Sequence, residues 1–76
     1  MNTFPIFAEI PEMNKREDKN YIVIDPNKAQ GGFDIFYYND FKKPYVDKDW
    51  TFELEDAFTA GEQEYGVAKA MWKKMK

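Results

Sequence analysis

Gly32-Phe33-Asp34-Ile35-Phe36-Tyr37-Tyr38 is the stretch whose reading decides the fold. Side chains alternate along a strand, so Phe33, Ile35 and Tyr37 share one face while Asp34, Phe36 and Tyr38 share the other. Large apolar groups therefore stand on both faces. The rest of the chain offers one long helix, and one helix covers one face of a small sheet. The second face is expected to be covered by a terminal segment or by another molecule.

Working outward, Tyr21-Ile22-Val23-Ile24 is β-branched and aromatic and reads as a second strand. Asp25-Pro26-Asn27 stops it, and Gln30-Gly31-Gly32 restarts the extended chain, which makes a hairpin with a long tip. Phe4-Pro5-Ile6-Phe7-Ala8-Glu9-Ile10 is extended, but Pro5 cannot donate to a ladder, so an edge strand or no regular strand is expected there. The charged segment 12–20 reads as a solvated connection. Asn39-Asp40 ends the central strand, and Phe41-Lys42-Lys43-Pro44 completes that loop. Over 45–52 the alternation sets Tyr45, Asp47 and Asp49 against Val46, Lys48, Trp50 and Phe52, a poor apolar stripe that suits a short or edge strand.

Leu54, Ala57, Phe58, Gly61 and Tyr65 fall at helical spacing and predict a helix over 53–65. Glu53, Glu55 and Asp56 crowd its first turn, where the helix dipole favours negative charge. Thr51 is the expected N-cap by residue type, with Glu53 an alternative start. Tyr65-Gly66-Val67 reads as a C-cap, with Gly66 left-handed and Val67 folding back on the last turn. The remainder, 68–76, is expected to be a short helical tail with Met71, Trp72 and Met75 on one side and Lys69, Lys73, Lys74 and Lys76 on the other. Strands followed by a helix give an α+β fold: an antiparallel sheet of three to four strands with the helix packed on the Phe33/Ile35/Tyr37 face.

Trp50-Thr51-Phe52-Glu53-Leu54-Glu55-Asp56-Ala57, then Glu64-Tyr65-Gly66-Val67, then Trp72, resembles a pattern in small uncharacterised bacterial proteins. In these a β-meander precedes a helix reading roughly L-E-E-A, followed by E-[FY]-G-[VI] and a Trp. The likeness covers the last third of the chain and is structural. It implies the same fold and carries no activity with it.

Composition narrows the function classes. With 76 residues the chain is one domain, 1–76, and such a chain buries only roughly 60% of the surface its unfolded form exposes. The absence of Cys and His removes disulfides, Cys/His zinc sites, Cys nucleophiles and every His-dependent triad. Seven Phe, five Tyr and two Trp are left to supply the core. No apolar run approaches a membrane span of ~20 residues. Nor does the N-terminus show a basic segment followed by a long apolar one, so a cytoplasmic protein starting at its own Met1 is expected.

Each candidate site has a plain structural counterpart. Asp47, Asp49, Glu53 and Asp56 could gather a divalent cation, but no Asp-x-Asp-x-Asp-Gly loop is present, and a solvated turn plus a helix N-terminus accounts for them; no metal and no cofactor is expected. Gly31-Gly32 precedes no helix and matches no phosphate-loop pattern, so it reads as hairpin geometry. Any two of the fourteen acids could be put forward as a catalytic pair, so that idea carries no information, and a core this small leaves little room for a pocket; an enzyme is not expected. Phe36 and Tyr38, with Trp72 as an accessory, are the candidate partner-binding residues of a non-catalytic protein–protein interaction or regulatory domain, self-association as a homodimer being one version. Two alternatives stand beside it. One is a nucleic-acid-associated protein using the aromatic sheet and lysine tail, against which the net charge of −3 argues. The other is an acidic phage or plasmid inhibitor that blocks a basic surface.

Overall fold

Strands β2 (Tyr21–Pro26) and β3 (Phe33–Tyr38) form the centre of the sheet, paired antiparallel from Tyr21 opposite Tyr38 to Pro26 opposite Phe33. The computed structural model describes residues 4–16 and 18–75. Outside the central pair lie β1 (Ile6–Glu9) against β2 and β4 (Asp47–Thr51) against β3. The two-residue β5 (Lys73–Lys74) completes a five-stranded antiparallel sheet of order β4-β3-β2-β1-β5. Helix α1 (Leu54–Tyr65) crosses one face. The architecture is α+β, as the strand and helix periodicities indicate.

Register places Ala8, Ile22 and Tyr37 in one cross-strand row and Ile6, Ile24 and Ile35 in the next. These side chains meet Ala57 and Tyr65 of α1 together with Ile10 and Val67 in a continuous core. Phe4, Phe33, Leu54, Phe58, Met71 and Trp72 pack around it. Gly61 lets the helix approach closely, because a Cβ there would lie 3.2 Å from Trp72 Cζ2. Gly66 is left-handed at φ 69°, as its position predicts, and Val67 N–H donates to Gly61 O at 3.1 Å. That turn buries Val67 completely.

Three local expectations change. Within segment 4–10, Ile6–Glu9 is a regular strand with β2 on one side and β5 on the other at Ile6 and Phe7: Pro5 and Pro11 bracket it, and Pro5, which cannot donate, accepts from Met75 N–H at 2.9 Å. The tail is one 3-10 turn, Lys69–Met71, followed by β5, where Phe7 pairs with Lys73 and Ile6 with Lys74. A tail of so few residues gains little as an isolated helix, whereas pairing with β1 satisfies its backbone directly; Lys76 lies outside the described residues. The helix N-cap is Glu53, since the Thr51 hydroxyl donates to Glu53 O at 3.1 Å while Thr51 ends β4. Met1, the expected start, and Glu17, part of the charged connection, also lie outside the described residues.

Candidate functional site: the aromatic sheet face opposite the helix

The same alternation that builds the core sends Phe7, Tyr21, Val23, Phe36 and Tyr38 to the other face. Among the described residues, neither terminal segment covers it. The β3–β4 loop, residues 39–46, folds back and lays two rings on it. Phe41 packs against Tyr21 (ring centroids 4.4 Å apart), Tyr38 (5.2 Å) and Phe7 (5.7 Å). Tyr45 packs against Phe36 (4.9 Å) and Tyr38 (6.3 Å). Asp40 Oδ1 accepts Lys42 N–H at 2.9 Å and Val46 N–H donates to Tyr37 O at 2.8 Å, which fixes both ends of the loop.

The cover is incomplete. Phe41 and Tyr45 keep 37% and 45% of their surface exposed, and the face continues past the loop to Trp50 at 36% and Phe52 at 67%. Trp50 and Phe52 touch at 6.2 Å. Trp50 is seated by the hairpin tip: its Nε1–H donates to Gly31 O at 2.8 Å, and its ring lies where a Cβ on Gly32 would be, 2.5 Å from Cζ2. Polar groups flank the rings. Lys48 Nζ sits 5.5 Å from the Phe36 centroid and 3.8 Å from Asp34 Oδ1, which also accepts from Asn27 Nδ2 at 3.2 Å. Asp25 stands opposite Asp34 across the β2–β3 pair.

Of the residues singled out from sequence, Phe36 and Tyr38 lie together in this layer, half-buried under Tyr45 and Phe41. Trp72 does not join them. It lies on the helix side, 5.8 Å from Phe58, with its Nε1–H buried and unpaired. The rings that reach solvent are Phe41, Tyr45, Trp50 and Phe52, which sequence reasoning placed in a loop and a weak strand. The 46/48/50/52 alternation was the signal for the last two.

The carboxylates near the helix start are used locally. Asp47 Oδ1 accepts Lys48 N–H and Asp49 Oδ1 accepts Trp50 N–H, both at 2.8 Å, and Asp47 Oδ2 pairs with Lys19 Nζ at 2.9 Å. The Lys19 hydrogen bond holds the Asp47 carboxyl below its ordinary range and raises the lysine in turn. Among the described residues no three metal-ligating side chains converge. A shallow depression of about 590 Å³ is lined by Arg16, Asp18, Lys19, Val46 and Asp47. Its cations are already engaged, Arg16 with Glu64 O at 2.8 Å and over the Tyr65 ring, Lys19 with Asp47 and over the Tyr37 ring. Burial, with the neighbouring Tyr65 next in effect, pushes the Tyr37 hydroxyl well above its ordinary value. The glycines at the hairpin tip close a turn, Asn27 N–H donating to Gly32 O at 3.0 Å and Gly31 N–H to Asn27 O at 2.7 Å, and no helix follows.

No described helix is long and apolar enough to cross a membrane. The fold and this face define a two-layer α+β protein with one layer of aromatic rings left partly in water. No family model matches the chain, and no curated protein and no solved structure matches it either.

Proposed function

We propose that this chain is a non-catalytic protein-binding module that engages its partner through the aromatic face opposite α1. The observation that carries the reading is the incomplete cover: Phe41 and Tyr45 shelter Phe36 and Tyr38 yet remain more than a third exposed beside Trp50 and Phe52. Solvent-facing aromatic rings seated on a rigid sheet are the residue type and setting that dominate interface energies. Phe36 and Tyr38 then support the surface from beneath, while Phe41, Tyr45, Trp50 and Phe52 meet the partner. The nucleic-acid reading has weaker support, because Asp25 and Asp34 stand on the same face and Lys73 and Lys74 lie at its edge.

The test compares the native chain with a Phe41→Ser/Tyr45→Ser variant and a Trp50→Ser/Phe52→Ser variant. Light scattering reports self-association, and capture from the source cell reports a separate partner. The expected result is a complex, with itself or with another protein, that either pair of changes weakens while the circular dichroism of the sheet and helix persists. A monomer that captures nothing, or a complex indifferent to both pairs, sinks the proposal.

A further inference from the structure

The loop that shelters the aromatic face shelters one end of it. Residues 39–46 leave β3 at Tyr38, and their rings lie over Tyr21, Tyr38 and Phe36. The cross-strand row Asp25–Asp34–Trp50, with Phe52 beyond it, lies toward the hairpin tip, which the loop rings do not reach. The face is thus thick at one end and thin at the other. Its unmatched charges divide the same way. Lys42 and Lys43, exposed between the two loop rings, have no ion-pair partner among the described residues, and Asp25 at the thin end has none either. Beside Asp25, Asp34 meets Lys48 at 3.8 Å. The other charges are engaged in place or stand at the margin: Glu9 pairs with Lys15, Asp40 accepts Lys42 N–H, and Lys73 is on the outermost strand.

In aligned face-to-face packing the strands of two sheets stay within about 30° of each other, so a two-fold axis between equal sheets runs either along the strands or across them. An axis along the strands stacks loop on loop and sets Lys42 and Lys43 against their own copies. An axis across the strands lays each loop on the thin end of the other copy. Thick then meets thin, Lys42 and Lys43 meet Asp25 and Asp34, and Phe41 and Tyr45 meet Trp50 and Phe52. We infer that the occupant of the aromatic face is a second copy of this chain, packed sheet to sheet about a two-fold axis that crosses the strands. Every contact then occurs twice, as a two-fold requires. The rings it buries are those that stand in water, from Trp50 at 36% exposed to Phe52 at 67%. Apolar contact supplies the attraction, and the paired charges fix the direction of the axis. The inference rests on the reading of this face as a protein-binding surface and names its partner.

The test compares the native chain, a Lys42→Asp/Lys43→Asp variant and an Asp25→Lys variant by sedimentation equilibrium. The native chain is expected to dimerise reversibly with concentration. Each variant alone is expected to dimerise about tenfold more weakly, because it sets like charges together at both contacts. An equimolar mixture of the two variants is expected to regain the native strength: the reversed loop of one meets the reversed end of the other, and the second contact is the native one. If a variant fails to fold, a mixture of ¹³C-labelled and unlabelled native chain is expected to show isotope-filtered NOEs from Phe41 and Tyr45 of one copy to Trp50 and Phe52 of the other. A dimer indifferent to both charge changes, a mixture no stronger than its parts, or a dimer without those NOEs overturns the inference. So does a native chain that stays monomeric at millimolar concentration; if that monomer still captures another protein through the same rings, the inference falls while the reading of the face stands.

Discussion

Replacing Gly32 with Ala tests how the aromatic face is assembled. Gly31 and Gly32 have φ of 85° and 72°, so a side chain at either is strained by about 1 kcal/mol relative to glycine. Their surroundings differ. A Cβ on Gly31 meets nothing within 4 Å, while one on Gly32 falls 2.5 Å from both Thr51 O and Trp50 Cζ2. The indole can swing away only by giving up its hydrogen bond to Gly31 O. The carbonyl belongs to β4, where Thr51 pairs with Phe33, and cannot move without opening that end of the ladder. One net hydrogen bond contributes about 1 kcal/mol and overpacking costs typically 1–3 kcal/mol. Gly32→Ala is therefore expected to cost roughly 3 kcal/mol against about 1 kcal/mol for Gly31→Ala. Urea unfolding followed by circular dichroism measures both. Tryptophan emission reports the unseating of Trp50 in the Gly32 variant only. If the two variants agree within about 0.5 kcal/mol, the spread expected of independent sites, the close approach of Trp50 to the hairpin is not what the glycine is for.

Three further outcomes follow from buried or paired groups. Trp72→Phe keeps the ring against Phe58 and Gly61 while deleting a buried N–H that has no acceptor, so urea unfolding should show a change within about 1 kcal/mol of zero or a gain, whereas Trp72→Ala should cost about 3–5 kcal/mol. The Tyr37 hydroxyl is raised by burial above its ordinary 10.0, so its contribution to stability is complete below that value and is lost as pH rises through the folded value. Tyr37→Phe should flatten the alkaline limb of a pH–stability curve. Asp47 is lowered from 3.8 by Lys19, so its contribution is present above 3.8 and disappears as pH falls through the folded value; Asp47→Asn or Lys19→Gln should flatten the acid limb in thermal melts across that range.

What could be read from the sequence was carried by local signals. The β-branched run at Tyr21, the alternation at Phe33, the paired glycines and the 54/57/58/61/65 spacing each act within a few residues, and the structure has β2, β3, the hairpin and α1 there. Gly66 belongs with them, since a left-handed residue after a helical pattern is a local demand. What was hidden depends on residues far apart in the chain. Lys73 and Lys74 have no strand alternation and form β5 only because β1 offers a backbone partner. Trp72 then falls on the helix side because the tail must pass Gly61 to reach that edge. Phe41 and Tyr45 sit among turn residues and lysines, a context that reads as solvated loop, and only the sheet beneath them makes their rings part of a layer.

The partial cover of the second face follows from how the described elements are laid out. Helix α1 has 12 residues and so runs about 18 Å, close to the ~19 Å between the outer strands of a five-stranded sheet spaced about 4.8 Å apart. One helix, with Met71 and Trp72 packed beside it, thus covers one side. Among the described residues no second helix lies on the other side, and the loop 39–46 is what packs there. Two rings from that loop shield the middle of the face, over Tyr21, Phe36 and Tyr38, but cannot reach Trp50 and Phe52 at the β4 end. Enlarging the loop rings should not close this gap, because Trp50 is anchored away from the loop by Gly31. Exposure at the β4 end is thus a consequence of connectivity, and any partner that buries it must approach over Trp50 and Phe52 with Tyr45 on its flank.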